Sequence, residues 1–240
     1  MSRKSLVYFI LVGILWGIPY LLMKVAVEDF PPAAVVAGRT LIGASILIPV
    51  AIYRRKFKGA VLGFKFVAFY ALMEMIGPWI LITTAEQKIS SGLAGLLVST
   101  VPIFATIITS MRGDHSVWQF KRIFGIVVGF IGLILVVGIE SLTGNSDFLS
   151  IVMVLVASVS YAYAVIMVLA NLPLVDGIAI NGLAMALTTI FWGPVAIAQW
   201  PSSISLNSAL SLIALGIFST AFAFILFFKL MQDIGPARGS

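Results

Sequence analysis

The stretch Ala33–Tyr53 reads AAVVAGRTLIGASILIPVAIY and carries a single charged side chain, Arg39. A hydrocarbon core of about 30 Å requires roughly 20 apolar residues in a helix. Lipid offers the backbone no hydrogen-bond partners, so a segment of this length satisfies its N–H and C=O groups internally as a helix. The stretch is therefore predicted to be a transmembrane helix.

Seven further stretches have the same character. Of the 240 residues, 61% are hydrophobic and 10% are charged, whereas soluble domains carry roughly 25% charged residues. The fold class predicted is an all-α membrane protein with eight transmembrane helices, at Leu6–Val27, Ala33–Tyr53, Phe64–Thr84, Ile89–Met111, Phe120–Ile139, Leu149–Leu169, Ile178–Ala198 and Ala209–Phe228.

Composition excludes several classes of site. The chain has no cysteine and one histidine, so disulfides, thiolate metal sites and multi-histidine metal or haem sites are excluded. The histidine, His115, falls in a loop, so no catalytic nucleophile–base pair is expected to use it. The sequence has no phosphate-binding glycine loop, so ATP-driven pumping by this chain is not expected. We expect no cofactor, no metal and no catalytic residues.

Basic residues lie at alternate membrane edges, which predicts the orientation. They precede the first helix, surround the loop after the second and bracket the loop after the fourth: Arg3, Lys4, Arg54, Arg55, Lys56, Lys58, Lys65, Arg112, Lys121 and Arg122. The intervening loops carry mainly acidic residues. A cytoplasmic amino terminus in a multi-pass protein of the cell membrane is predicted, and this distribution of the +6 net charge argues against nucleic-acid binding.

The sequence also contains an internal repeat. A shift of 145 residues places Pro49-Val50-Ala51-Ile52 on Pro194-Val195-Ala196-Ile197, Ile80-Leu81 on Ile225-Leu226, and Trp16 on Tyr161. The predicted units are 1–140, with five helices, and 146–240, with three. Five is an odd number, so the second unit enters the membrane from the opposite side, as in inverted-repeat transporters with binding sites between the halves.

The second unit is predicted to be incomplete. Ser240 corresponds to Gly95, near the start of the fourth helix, and the first unit continues to about Glu140. Residues 234–240 are therefore interpreted as the approach to a ninth helix, and the expected whole is a ten-helix, five-plus-five bundle.

Several motifs resemble a known family. They are Leu15-Trp16-Gly17 followed by Lys24, Arg39 after a Pro-rich turn, residues 91–97 (SGLAGLL) leading into Val101-Pro102-Ile103-Phe104, and the Gly-rich segment 125–138. In these the chain resembles the EamA-like branch of the drug/metabolite transporter superfamily. The resemblance extends over the whole chain, more densely in the first unit.

The resemblance implies a central cavity and alternating access for small metabolites such as amino acids, in some members coupled to protons or to exchange. The expected partners are the lipid bilayer, a small-molecule substrate and protons, and the oligomeric state is left open. A membrane-embedded lipid-modifying enzyme is the alternative, which the short, mostly basic cytoplasmic loops disfavour.

Three ionisable residues lie in or near the spans, where a charge costs roughly 2.5–3.5 kcal/mol or more. Glu74 is deepest and is predicted to line the pathway, binding a cationic group or carrying a proton; the alternative is a structural carboxyl, either protonated or paired with Arg39. Arg39 either clamps a substrate carboxylate or holds its helix to Glu74. Lys24 is predicted to reach the interface.

Helix 1 places Trp16, Tyr20 and Lys24 on one face, and Ser158 and Tyr161 occupy the repeat-related region of helix 6. These side chains are substrate-pathway candidates, with ordinary aromatic packing an equal alternative.

Small residues and prolines predict where helices approach one another and bend. Close helix contacts are predicted at Gly13 with Gly17 and at Gly125 with Gly129. Helix kinks are predicted at five prolines, which are Pro19, Pro49, Pro78, Pro102 and Pro194.

Overall fold

The computed structural model describes residues 3–113, 118–137 and 147–234. Within these ranges every regular element is helical. The α-helices are α1 (Arg3–Gly17), α2 (Pro19–Ala26), α3 (Pro32–Tyr53), α4 (Phe57–Leu62), α5 (Phe64–Ala71), α6 (Gly77–Ala85), α7 (Ser91–Val98), α8 (Val101–Met111), α9 (Phe120–Val137), α10 (Phe148–Asn171), α11 (Gly177–Ala198), α12 (Leu206–Gly216) and α13 (Ala223–Ile234). Two π-helical segments join α5 to α6 and α12 to α13, namely π1 (Leu72–Ile76) and π2 (Ile217–Phe222).

Seven helical stretches among the described residues are long and apolar enough to cross a membrane. They are Arg3–Ala26, Pro32–Tyr53, Phe64–Ala85, Ser91–Met111, Phe148–Asn171, Gly177–Ala198 and Leu206–Leu230. Their bounds lie within three residues of seven predicted spans. The remaining predicted span, Phe120–Ile139, coincides with α9 up to Val137, but α9 is not among the seven, so the count of eight stays a prediction. The predicted approach to a ninth helix lies almost wholly outside the described residues.

Side-chain caps fix where several spans begin. Asp147 accepts a hydrogen bond from the backbone N–H of Ser150 at the start of α10, and Asp176 accepts from Ile178 and Ala179 at the start of α11. Ser90 and Ser205 cap α7 and α12 in the same way. Such caps satisfy N–H groups that the first helical turn leaves unpaired.

Helices α3 and α11 form the centre of the bundle and pack against each other more extensively than any other pair. Two glycines permit this approach. A Cβ on Gly43 would lie 2.5 Å from Met185 Sδ, and one on Gly182 would lie 3.3 Å from the backbone nitrogen of Ile48.

The close helix contacts predicted at four glycines do not occur among the described residues. A Cβ on any of the predicted glycines would meet no other described atom within 4 Å, and these are Gly13, Gly17, Gly125 and Gly129. A small-residue pair marks a possible close approach, but which helix face meets a neighbour is set by the whole bundle.

Three polar contacts each join two loops that the orientation scheme places on the same side of the membrane as each other. Arg54 lies 3.7 Å from Asp176, and Lys88 lies 3.5 Å from Asp147. The backbone N–H of Ser205 donates to the carboxylate of Asp29. These contacts agree with the predicted relative sidedness of the loops, while the cytoplasmic assignment of the amino terminus stays a prediction.

Helix bounds coincide under the 145-residue shift. The shift carries α3 (Pro32–Tyr53) onto α11 (Gly177–Ala198) at both ends and the span Arg3–Ala26 onto α10 (Phe148–Asn171). It also carries π1 onto residues 217–221 of π2. Positions 74 and 219 therefore occupy equivalent places in two π-helical segments.

Candidate functional site

A cavity of about 310 Å³ lies among the described spans. Its walls combine aromatic, aliphatic and a few polar side chains: Trp16, Pro19, Tyr20, Met23, Arg39, Glu74, Trp79, Ile82, Val98, Tyr161, Ser219 and Phe224. Ligand pockets in proteins typically have volumes of about 300–1,000 Å³, mostly apolar walls and a few placed polar groups. The cavity has these properties.

Interruptions in four spans bring residues to this cavity. The first span breaks between α1 and α2 at Pro19, and the third changes to π-helix at Leu72–Ile76, around Glu74 and before Pro78. The fourth breaks after Val98, and the last changes to π-helix around Ser219. A proline lacks the N–H that the helix would use, and π-helical turns recur at functional sites.

Arg39 brings a buried cation to the cavity from α3, with 6% of its surface exposed. Its Nε and Nη2 atoms donate to Thr220 Oγ1 at 3.3 and 3.1 Å, and Nη1 donates to Met23 Sδ at 3.7 Å. Its guanidinium carbon lies 3.7 Å from the centre of the Trp79 ring. No carboxylate among the described residues lies within ion-pair distance of it.

Glu74 brings a carboxyl group to the same cavity from π1. Its Oε2 atom is buried and has no hydrogen-bond partner in the described part of the chain. One form of the structural alternative, a direct Arg39–Glu74 pair, is not among the ion pairs in the described ranges, whereas the other form, a protonated structural carboxyl, stays a prediction. Both groups instead face the shared cavity separately.

Aromatic side chains form much of the remaining wall. Trp16 packs edge-on against Phe224, with ring centres 5.8 Å apart, and Tyr20 and Tyr161 complete the wall from helices α2 and α10. The structure thus brings together five of the seven predicted pathway residues, namely Trp16, Tyr20, Arg39, Glu74 and Tyr161.

Lys24 and Ser158 lie elsewhere. Lys24 donates to the carbonyl oxygens of Glu86 and Ile89, the latter at 3.0 Å, and so joins α2 to the loop between α6 and α7. Ser158 is fully buried, and its Oγ lies 2.9 Å from the carbonyl oxygen of Val154 and 3.2 Å from that of Leu97, donating to one of them at a time. Both side chains connect helices and do not line the cavity.

Glu86 lies beside Lys24, one residue beyond the third span, and its side chain is fully buried. Burial raises the pKa of Glu86 from 4.5 to about 7, although a hydrogen bond from Ser91 and the charge of Lys24 lower it. Ser91 Oγ lies 3.2 Å from Glu86 Oε2 and 3.1 Å from the carbonyl oxygen of Tyr20. The hydroxyl has one proton, so it donates to one of these acceptors at a time.

The five prolines differ in their effect on the helices. Pro19, Pro78 and Pro102 occupy the first turns of α2, α6 and α8, directly after interruptions. Pro49 and Pro194 lie inside α3 and α11, which continue across them.

Ser219 is the functional candidate that the sequence prediction missed. It lies in π2, lines the cavity with 2% of its surface exposed, and its Oγ atom has no partner in the described part of the chain. One signal points to it, because the 145-residue shift carries Glu74 onto this position.

No group of three or more His, Cys, Asp or Glu side chains suited to a metal ion occurs within the described ranges. His115, for which no role was predicted, lies outside those ranges.

Sequence comparison identifies relatives over most of the chain. Residues 3–138 match the EamA-like transporter family. The uncharacterized transporter YoaV of Bacillus subtilis is 28% identical over 246 residues, covering 99% of this chain and 82% of the relative. The uncharacterized inner membrane transporter YedA of Escherichia coli K12 is 24% identical, with 93% and 73% coverage. Protein PagO of Salmonella typhimurium is 26% identical, with 98% and 78% coverage.

Comparison with solved structures finds a chain of similar fold. A solved crystal structure aligns with a TM-score of 0.74 over 96% of this chain and 80% of that chain, at 15% sequence identity. At this identity, the likeness concerns the fold alone.

Proposed function

The chain belongs to the EamA-like transporter family, and we propose that it is a secondary transporter that exports or exchanges a small organic metabolite, such as an amino acid, by alternating access. The cavity is the proposed substrate site. Its pathway residues are Trp16, Tyr20, Arg39, Glu74 and Tyr161, all of which line it.

The observation that carries this proposal is the environment of Arg39. A buried charge is costly and normally has a paired group, yet this guanidinium has an aromatic ring and a hydroxyl as neighbours and no carboxylate within reach in the described part of the chain. Three of its five N–H groups donate to Thr220 and Met23, which leaves two for a ligand. A substrate carboxylate is the natural acceptor for such a fork.

Glu74 supplies the complementary function. Its unpartnered oxygen accepts a hydrogen bond from a cationic group of the substrate, or it carries the proton that couples transport to a pH gradient. Either role explains why a carboxyl group is placed at the cavity and is not paired with Arg39.

Alternating access is proposed on the basis of the repeat. Units 1–140 and 146–240 are taken as inverted halves, and the coincidence of helix bounds under the 145-residue shift supports this interpretation. Of the lining residues, Arg39 and Glu74 come from the first unit, whereas Tyr161 and Ser219 come from the second. A site shared between halves opens to either side as one half rotates against the other.

Counterflow in proteoliposomes tests the proposal. Liposomes loaded with unlabelled alanine, leucine or phenylalanine receive the labelled form of the same amino acid outside. Transient accumulation of label only in preloaded liposomes is expected of a carrier. The competing function, a membrane-embedded lipid-modifying enzyme, predicts chemically altered lipid without movement of label, and that result would overturn the transporter proposal.

A further inference from the structure

The two π-helical segments carry an equivalent pair of polar side chains. Glu74 in π1 and Ser219 in π2 are related by the 145-residue shift, and both line the cavity. Each has a buried oxygen atom without a hydrogen-bond partner among the described residues. In this part of the chain one other buried side-chain atom shares that property, Oε1 of Glu86, and Glu86 does not line the cavity.

Two backbone carbonyls at these segments receive their side-chain hydrogen bonds from other residues. Trp192 Nε1 donates to the carbonyl oxygen of Ile76 at the end of π1, and Thr220 Oγ1 donates to that of Leu215 beside π2. Other buried hydroxyls in the bundle donate to carbonyls one turn back, as Ser158 and Thr188 do. Ser219 makes no such bond, so its hydroxyl is available to a ligand.

An unpaired buried polar group destabilises the fold, so a ligand that pairs both oxygens recovers stabilisation that these oxygens otherwise lack. A carboxylate only accepts hydrogen bonds, and a hydroxyl oxygen also accepts them, whereas a protonated amine has three N–H donors. Arg39 is positively charged and offers only donors, so it repels the amine, whereas Glu74 and Ser219 are the lining residues with unpartnered oxygen atoms in the described part of the chain. The charges of the cavity therefore give a ligand one orientation.

We propose that Glu74 and Ser219 together form an amine-binding subsite, and that the substrate therefore carries a protonated amino group held between the two halves of the repeat. The inference rests on the proposed function of the cavity and adds to it a specificity-determining residue, Ser219. A ligand without the amine is expected to lose its hydrogen bonds to Glu74 and Ser219, and a ligand without the carboxylate is expected to lose those to Arg39.

Matched ligands isolate the contribution of the amine. Alanine, leucine and phenylalanine are compared with propionate, 4-methylpentanoate and 3-phenylpropionate, which keep the carboxylate and the carbon chain and lack the amine. Binding to the purified chain in nanodiscs is measured by calorimetry. At least one amino acid should bind about tenfold or more tightly than its partner acid, as hydrogen bonds to charged groups are worth about 1.5–3 kcal/mol.

Variants then assign that preference to the subsite. In Ser219→Ala and in Glu74→Gln the preference should fall about tenfold, while Ser219→Thr should retain it because the hydroxyl remains. Ser208→Ala is the matched control, since Ser208 is a buried serine outside the cavity whose Oγ donates to the carbonyl of Val25. It should keep the preference and lower the melting temperature, whereas Ser219→Ala should melt at or above the temperature of the original chain, because it removes an unpaired buried hydroxyl.

The remaining outcomes distinguish failure of the amine subsite from failure of the proposed transport function. Equal binding of amino acids and their partner acids, or an unchanged preference in Ser219→Ala, overturns the amine subsite but leaves the cavity as a substrate site. Failure of Ser219→Ala to fold also overturns it, because that result makes the hydroxyl structural. If none of the six ligands binds and no counterflow occurs, the proposed function fails as well.

Discussion

The guanidinium carbon of Arg39 lies 3.7 Å from the centre of the Trp79 ring, so the buried cation of α3 rests on an aromatic face of α6. Cation–π contacts of this kind are worth about 0.5–2 kcal/mol, more where water is excluded. The contact leaves the edge of the guanidinium free for hydrogen bonds. It thereby stabilises the charge without occupying the donors that a substrate needs.

Arg39→Lys should lower substrate affinity at least about tenfold, because lysine keeps the charge but loses the planar fork and the stacking. Equilibrium binding in nanodiscs measures the effect. Arg54→Lys is the matched control, since Arg54 forms a partly exposed ion pair with Asp176 away from the cavity, and it should bind like the original chain. Equal affinity in Arg39→Lys would argue against a carboxylate clamp.

Glu74→Gln also tests proton coupling, when flux is measured at substrate concentrations that saturate the variant. If Glu74 carries the proton, uptake driven by a pH gradient should fall to the level without a gradient, while exchange at equal pH persists. Proteoliposomes with and without an imposed gradient provide the measurement. Unchanged flux and unchanged pH dependence in the variant would exclude Glu74 from coupling.

Glu86 should make stability depend on pH. The folded pKa of about 7 lies above the ordinary 4.5, so the protonated carboxyl stabilises the folded chain fully below about pH 4.5. That stabilisation is lost as the pH rises through 7, and the linked loss between pH 5 and pH 8 is on the order of 2 kcal/mol. Melting in detergent at these two pH values should show a larger difference for the original chain than for Glu86→Gln. Equal differences would contradict the assignment.

Single cysteines test the membrane orientation, because the chain has none of its own. Lys58 in α4 and Gln87 after α6 are both exposed, and the charge distribution predicts that they face opposite sides. In intact cells an impermeant maleimide should label Gln87→Cys and not Lys58→Cys. Labelling of both sites after the cells are opened provides the control, and the reverse pattern would place the amino terminus outside.

Packing predicts opposite effects for two glycine substitutions. A Cβ on Gly216 would lie 2.7 Å from the Cβ of Ile42, whereas one on Gly13 would meet no described atom within 4 Å. Gly216→Ala should therefore destabilise the fold by about 1–3 kcal/mol through overpacking. Gly13→Ala should be neutral or stabilise by about 0.5–1 kcal/mol, because alanine favours the helix. Thermal unfolding in the same detergent compares the two, and similar shifts would contradict the contact at Gly216.

The spans could be predicted from the sequence because each depends on the length of one apolar stretch, a local property. Charged and aromatic residues within those stretches also identified five of the twelve side chains that line the cavity, since a charged residue inside a span avoids lipid. The sequence predicted that Lys24 reaches the interface but did not identify its hydrogen-bond acceptors. Its acceptors, the carbonyls of Glu86 and Ile89, are set by how α2 meets a distant loop.

Ser219 and the packing glycines show where a single sequence was insufficient. Serine is common in helices, and its missing hydrogen bond becomes visible only when its surroundings are known. Gly13 and Gly17 form a small-residue pair four residues apart, whereas Gly43 has Arg39 and Leu47 at the corresponding positions. The helix face that a glycine occupies decides its role, and it is Gly43 whose face meets a neighbouring helix. Sharing a face with a neighbouring helix is a property of the bundle, which no local pattern records.

The interruptions at Pro19, π1, Val98 and π2 each contribute to the cavity wall, whereas α3 and α11 continue without a break. Broken hydrogen-bond ladders exchange their amide hydrogens with deuterium through smaller openings than intact helices require. We expect the amides at the four interruptions to exchange first within their spans and those of α3 and α11 to exchange last. The ligand would then contact the most easily opened backbone of the bundle, so that its arrival slows exchange at four separate places in the chain.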